Sequence, residues 1–272
     1  MRTLAKRTLF ITGASRGIGR AIALRAARDG ANIVIAAKTD RRHPKLPGTI
    51  HSVAEEVEAA GGRALPLKVD VRDEARVKEA VDQAVAHFGG LDALVNNASA
   101  IWLKPAEDVP MKRYDLMFDV NVRGSFLCAR TCIPHLRRSD NPHILTLSPP
   151  INLDPRWFQD HTAYTASKYA MSMMAVGLAA ELKEDGIASN ALWPRTVINT
   201  AALAMLGGLI KPEQTRQPEI MADAAHAVLT APASQRSGAC LIDEEVLKEA
   251  GVRDFNHYAV DASEPLTPDL FL

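Results

Sequence analysis

Short, continuously apolar runs alternate along the chain with longer stretches of helical period. Residues 4–12, 32–37, 64–69, 91–95, 144–147, 187–192 and 239–242 read as strands. Residues 17–29, 50–60, 74–88, 114–136, 163–184 and 218–229 read as helices, the segment 114–136 as one long helix. Gly30, the Gly61-Gly62 pair, the Gly89-Gly90 pair and Gly186 close four of them. The strands are apolar throughout rather than alternating, which marks a parallel sheet covered on both faces. Strand–helix repetition then predicts an α/β fold, a doubly wound parallel sheet of the Rossmann type, with 1–272 as a single domain. Three irregular stretches, 38–48, 149–161 and 194–217, leave the carboxyl ends of strands, where such sheets bind ligands.

The turn Thr12-Gly13-Ala14-Ser15-Arg16-Gly17-Ile18-Gly19 joins the first strand to the first helix. Glycines there let the backbone approach a pyrophosphate, and the helix N-terminus offers free N–H groups and a positive dipole end. The spacing is Gly-x-x-x-Gly-x-Gly, not the Gly-x-Gly-x-x-Gly of many dinucleotide folds. NAD-specific sites place an acidic residue roughly 20 positions further on, against the ribose 2′-hydroxyl. Here the second strand ends Ala36-Ala37-Lys38, and with Arg16 this sets two cations where a 2′-phosphate would lie. The expectation is NADP, with Asp40 close enough to keep NAD open and a solvated basic loop (Arg41, Arg42, Lys45) as the bland alternative. Asp70 ends the third strand within reach of an adenine amine. Asn97 follows the fourth, where it either serves the ligand or braces a backbone turn.

Tyr164 and Lys168 stand at i and i+4, so one helical face carries both phenol and ammonium. A free phenol titrates near ~10, and a neighbouring cation favours phenolate. Alone, the pair reads more readily as a helix start with a surface lysine. Ser148 changes this, because it ends the strand 144–147 just before the loop that returns to Tyr164. A hydroxyl there can hold a carbonyl oxygen beside the phenol. Asn121 lies inside the segment 114–136, a poor place for asparagine, and suggests a kink that holds a water.

These residues, in this order, resemble the short-chain dehydrogenase/reductase family over nearly the whole chain: Thr12-Gly-x-x-x-Gly-x-Gly19, Asp70-Val71, Asn96-Asn97-Ala98, Asn121, Ser148 and Tyr164-x-x-x-Lys168. The resemblance implies about seven strands, a nicotinamide cofactor and a catalytic tetrad of Asn121, Ser148, Tyr164 and Lys168. It implies cofactor contacts at Gly13, Ser15, Arg16, Gly17, Ile18, Gly19, Lys38, Asp70, Val71, Asn97, Ala98, Tyr164, Lys168, Pro194, Val197 and Thr200, Val197 meeting the carboxamide. The chain departs from the pattern where two prolines follow Ser148 and where Pro194-Arg195 replaces Pro-Gly. Its segments 36–39, 43–49, 147–153 and 191–196 are most similar to the hydroxysteroid dehydrogenase-like protein 2 group. Larger members of that group carry a C-terminal sterol-carrier domain, and this chain resembles the dehydrogenase part alone.

The function expected is therefore NADP-dependent interconversion of a carbonyl and a secondary alcohol, with Tyr164 as acid and base. The apolar stretch 201–210 and the aromatic pair Trp157-Phe158 suit a lipophilic substrate of the kind found in lipid metabolism. A silent cofactor-binding sensor is the rival reading, disfavoured by an intact tetrad. An enoyl reductase is a second, disfavoured by the close Tyr164–Lys168 spacing. Charge adds an exclusion: 32 Lys and Arg balance 32 Asp and Glu, which lowers the prospect of a nucleic-acid partner. Three cysteines without zinc spacing, and no apolar run of membrane length, predict free thiols, no metal, no membrane span and a cytoplasmic setting. The helix 163–184 is apolar on more than one face, which predicts a homodimer or homotetramer.

Overall fold

The computed structural model describes residues 3–44, 46–203 and 210–272. Seven strands form one parallel sheet: β1 (Thr8–Thr12), β2 (Asn32–Ala37), β3 (Arg63–Lys68), β4 (Ala93–Asn96), β5 (His143–Thr146), β6 (Ala188–Trp193) and β7 (Cys240–Ile242). Their order is β3-β2-β1-β4-β5-β6-β7, with every pair parallel. The expected fold class is thus observed. All residues of β1, β2, β4, β5 and β6 are buried, which is why those runs are mostly apolar, with polar residues such as Asn32, His143, Ser189 and Asn190 buried among them. β3 is an edge strand, half-exposed, and accommodates Pro66 there.

Two hydrophobic clusters flank the sheet. On one face lie α1 (Gly17–Ala27), α2 (Ile50–Ala59), α7 (Glu219–Thr230) and α8 (Asp243–Glu249). On the other lie α3 (Glu74–Phe88), α5 (Ser125–Leu136) and the end of α6 (Thr162–Glu181). Local signals set the boundaries. Thr49 and Ser52 cap α2 reciprocally, the Thr49 hydroxyl accepting from the Ser52 N–H at 3.0 Å and Ser52 Oγ from the Thr49 N–H at 2.9 Å.

Three expectations need correction. β1 begins at Thr8 rather than at residue 4, because Ala5 and Lys6 turn, Lys6 with φ +63°. Nothing in the pattern marked the short α8. The helix expected over 114–136 starts at Met111 and is not uniform: α4 (Met111–Met117) passes through a π-helical stretch at 118–124 into α5. Such a turn holds one extra residue, and Asn121 lies in it.

Strand order reverses beside β1, so the carboxyl ends of β1 and β4 open side by side at the crevice where such sheets bind ligands. The glycine turn leaves one and the Asn96-Asn97 pair leaves the other.

Candidate active site

The glycine turn is held from below. Thr12 Oγ1 accepts from the N–H groups of Asn97 and Ala98, both at 3.0 Å, and donates to the Val95 carbonyl. The Asn97 amide donates to the carbonyls of Thr12 (2.8 Å) and Gly13 (3.2 Å). Of the two roles open to Asn97, its side chain performs the brace. Gly13 has φ +66°, and a Cβ on Gly19 would lie 2.4 Å from Asn97 Nδ2. Only glycines leave the backbone low enough for this packing, and the turn faces the crevice as a pyrophosphate cradle would. Thr200 lies over the same turn, its Cγ2 3.4 Å from where a Gly17 Cβ would stand. Ser15 is buried and Ile18 half-buried within the turn.

Arg16 reaches across to the loop after β2. Its Nε donates to the Pro47 carbonyl at 2.9 Å and its Nη2 to Thr39 Oγ1 at 3.0 Å. These acceptors are neutral, so the guanidinium charge stays uncompensated. Lys38 is exposed at the end of β2. Asp40, the carboxylate that kept NAD open, is engaged by Lys68 at 2.9 Å. Asp70 is also engaged: Arg72 Nη2 donates to it at 2.6 Å and Nε at 3.0 Å. That pairing holds the carboxyl below its ordinary value, with Lys38 adding to the effect. The adenine contact expected of Asp70 therefore meets a carboxylate already bound. Val71 is buried beneath it and Ala98 half-buried at the end of β4.

The chemistry gathers at β5, β6 and α6. Lys168 Nζ donates to the carbonyl of Leu147, the residue before Ser148, at 2.6 Å. It also sits 5.1 Å from the ring centre of Trp193, the last residue of β6. Ser172, one turn on, donates to the Pro149 carbonyl at 2.5 Å. The face of α6 that carries Tyr164 and Lys168 is thus bonded to both sides of Ser148. Ser148 is fully buried, and its Oγ has no partner among the described residues. Burying a hydroxyl unpaired costs roughly 1–3 kcal/mol, so a polar atom of a ligand is the natural complement. Burial lowers the Lys168 ammonium to about 7. Burial, with the nearby Asp269 carboxylate, holds the Tyr164 phenol above its ordinary value.

Asn121 is fully buried and committed on every side. Its Oδ1 accepts from the Ala100 N–H (2.7 Å) and Ser99 Oγ (3.1 Å), and its Nδ2 donates to the Ala100 carbonyl (2.9 Å) and Ser167 Oγ (3.0 Å). The expected kink exists, but no position on the side chain is left for a water. Asn121 instead ties the chain after β4 to α6 beside Lys168.

After β6, Pro194 and Val197 are buried against the same end of the sheet. Arg195 turns away, paired with Glu245 at 2.5 Å, while its N–H donates to Asp243 at 2.8 Å. Sequence reasoning missed the C-terminal tail. Phe271 is buried, with its ring centre 6.4 Å from Tyr164 and 5.8 Å from Trp193. The only local hint was an apolar triplet, Leu270-Phe271-Leu272, after two prolines. Trp157 and Phe158 do join this aromatic cluster. Of the apolar stretch 201–210, residues 204–209 lie outside the described ones. Cys128 and Cys132 are buried in α5, the Cys128 thiol pushed up to about 12, as inert packing residues would be.

A parallel sheet with a glycine turn at its crossover thus stands beside a Tyr–Lys helix bonded to the residues on either side of a strand-end serine. Residues 7–206 match the short chain dehydrogenase family, and the chain belongs to it. A Danio rerio hydroxysteroid dehydrogenase-like protein 2 is 60% identical over 269 residues, 99% of this chain. The chain spans 64% of that relative's length. The crystal structure of a candidate dehydrogenase from Xanthomonas campestris superposes with a TM-score of 0.97 at 61% identity, covering 99% of each chain. A short-chain dehydrogenase from Mycobacterium paratuberculosis solved with NAD is 26% identical (TM-score 0.75; 90% of this chain, 99% of that one). A metagenomic short-chain oxidoreductase solved with NADP is 25% identical (TM-score 0.73; 88% and 97%).

Proposed function

We propose that the protein interconverts a lipophilic carbonyl compound and its secondary alcohol with NADP, using Tyr164 as acid and base. The observation that carries this is the Lys168–Leu147 hydrogen bond, which fixes the Tyr164 helix against the unpartnered, buried Ser148 hydroxyl. The bound cofactor supplies or takes the hydride. Ser148 Oγ–H donates to the substrate oxygen and holds it beside the phenol. Tyr164 delivers its proton to that oxygen in reduction. Its raised pKa keeps it protonated for this step. In oxidation the phenol must give up its proton, and the Lys168 ammonium next to it on α6 favours the phenolate. Asn121 acts through others, by fixing Ser167 and the chain at 99–100. Gly13 to Gly19 would cradle the pyrophosphate with Thr200 over the turn, and Pro194 and Val197 would hold the nicotinamide end, Val197 at the carboxamide.

The choice of NADP rests on Arg16 and Lys38, two cations that form no ion pair within 4 Å among the described residues, although Asp70 feels the Lys38 charge. The lipophilic substrate rests on the apolar cluster around Tyr164, which includes Met117, Trp193 and Ile242. A homo-oligomer is supported by Met173 and Val176 on α6 and Phe126 on α5, exposed at 63%, 42% and 49%. Free cysteines support a cytoplasmic setting, and among the described residues no helix is long and apolar enough to cross a membrane.

The test is a paired screen of NADPH and NADH with ketones and aldehydes of rising chain length. NADPH should be preferred in kcat/KM by roughly tenfold or more, as losing one charged hydrogen bond implies. Arg16→Ala and Lys38→Ala should each erode that preference. Equal use of both cofactors by the wild type would remove the NADP assignment.

A further inference from the structure

We propose that the tail segment 267–271 is a built wall of the substrate site and that Phe271 determines which carbonyl compounds fit beside Tyr164. This rests on the reading of Tyr164 as the proton donor, and deepens it.

The tail is docked, not draped. The Val197 N–H donates to the Thr267 carbonyl at 3.0 Å, and the Thr267 N–H to the Gln214 carbonyl at 2.9 Å. Thr196 and Pro268 form an antiparallel bridge. The Asp269 N–H donates to the Arg195 carbonyl at 3.1 Å, and Trp193 Nε1 to the Leu270 carbonyl at 3.0 Å. Five consecutive tail residues, 267–271, therefore bond or pack against the segment leaving β6, which also carries Pro194 and Val197.

Phe271 then turns its ring inward. Its backbone has φ +76°, a region a phenylalanine adopts only where its surroundings dictate it. The ring is 1% exposed and touches five aromatic groups from three directions. Tyr164, Tyr169 and His161 come from α6 and its start, at 6.4, 5.3 and 6.2 Å between ring centres. Trp193 comes from β6 at 5.8 Å, and Trp157 from the loop after β5 at 5.9 Å.

A carbonyl whose oxygen is held by Ser148 and Tyr164 must direct the two substituents on its carbon away from both hydroxyls. The Tyr164 phenol makes no hydrogen bond among the described residues, so it is free to bond a ligand oxygen. The Phe271 ring packs beside the Tyr164 ring, 6.4 Å between centres, and so would bound one side of a substrate held there. It offers an apolar aromatic edge and no polar atom. The substituent on that side is thus apolar, and its bulk is limited by the phenyl ring. Removing the ring opens room for a larger cyclic or branched group; enlarging it restricts the site to a slimmer one.

The experiment compares wild type with Phe271→Ala, Phe271→Leu and Phe271→Trp on butanone, cyclohexanone and cyclododecanone. NADPH-dependent kcat/KM is measured for each. Ketone affinity is measured separately by tryptophan fluorescence, since Trp193 and Trp157 flank the ring. Phe271→Ala should raise the ratio of cyclododecanone to butanone by about tenfold or more in both readouts, the range that pocket methylenes command. Phe271→Leu should fall between, and Phe271→Trp should move the ratio the other way. The direction seen in the Leu and Trp variants decides the matter if the alanine variant does not fold. NADPH affinity should change less than about twofold, because the ring touches no part of the glycine turn. Ratios equal to wild type in the folded variants, or wild-type fluorescence that responds to no ketone, would overturn the proposal. The two readings fail separately. Size-dependent binding without hydride transfer to any ketone would remove the proposed function and leave Phe271 as the wall. Turnover with an unchanged ratio would do the reverse.

Discussion

Lys168 has two partners in the structure, the Leu147 carbonyl and the Trp193 ring, and neither carries a charge. Its nearest counter-charge is Asp269 from the tail, which opposes the loss of the lysine proton. Withdrawal from water lifts the Asp269 carboxyl to about 7, with Asp243 pushing it higher and Lys168 pulling it back. The Leu270 N–H binds it at 2.7 Å. The same carboxylate raises the Tyr164 phenol. Asp269→Asn has two effects. It takes a negative charge away from the phenol, which favours phenolate, and it lets Lys168 lose its proton more readily, which opposes phenolate. Above the Lys168 value of about 7 that proton is leaving in either protein, so the direct effect on the phenol decides and phenolate forms more readily. For alcohol oxidation, the limb of kcat/KM that rises with pH should move to lower pH in Asp269→Asn and return with Asp269→Glu. Full pH profiles check this, and a limb that stays in place would show that Asp269 only shapes the tail. Tyr164, Lys168 and Ser148 were legible from residue type and spacing, since i, i+4 geometry and a strand end are local facts. Asp269 was not legible, because it meets Lys168 only through folding that brings together positions far apart in sequence.

At the scale of elements, the glycine turn and the π-helical stretch show why one was readable and the other was not. The turn announces itself through its glycines, and its strand through continuous apolar residues buried on both faces. A Cβ at position 19 meets Asn97 Nδ2 at 2.4 Å and the Gly13 carbonyl at 2.9 Å. Gly19→Ala should therefore dislodge the Asn97 brace and weaken NADPH binding by roughly tenfold or more, the loss of one charged hydrogen bond. A fluorescence titration giving wild-type affinity would contradict that account of the turn. The π-helical stretch depends on Asn121 bonding to Ala100 and to Ser167, 21 and 46 residues away. Periodicity over 114–136 carries no sign of those partners and reads as one long helix, with only the asparagine in its interior hinting at a kink. The tail is the extreme case. It has no repeat and no helix, and its order comes from backbone bonds to Gln214, Arg195 and Val197 and from aromatic rings on three other segments.

For the whole molecule, stability carries a pH signature from β5. His143 is buried, with Nε2 3.1 Å from the Ala231 carbonyl, and burial lowers its pKa from 6.5 to about 4. The unfolded chain takes up this proton first as pH falls, so the contribution is present at pH 7 and lost between 6.5 and 4. The size is roughly 3 kcal/mol. Asp243 and Asp269, raised to about 6 and about 7, act with the opposite sign in the same window. The His143 part is therefore read as a difference: the gap between wild type and His143→Gln, by denaturant unfolding, should narrow as pH drops from 7 to 4. A gap that does not change would contradict it. The exposed apolar residues of α5 and α6 should bring a second copy into contact, giving at least a dimeric mass in solution; a monomer at working concentration would contradict that. In the whole fold, the proposed cofactor cradle and proton donor rest on different parts of the chain, the turn after β1 and the start of α6. One measurement separates them. In Tyr164→Phe, turnover of carbonyl compounds with NADPH should fall nearly to nothing while NADPH affinity stays close to wild type. Turnover that persists in this variant would contradict the central assignment.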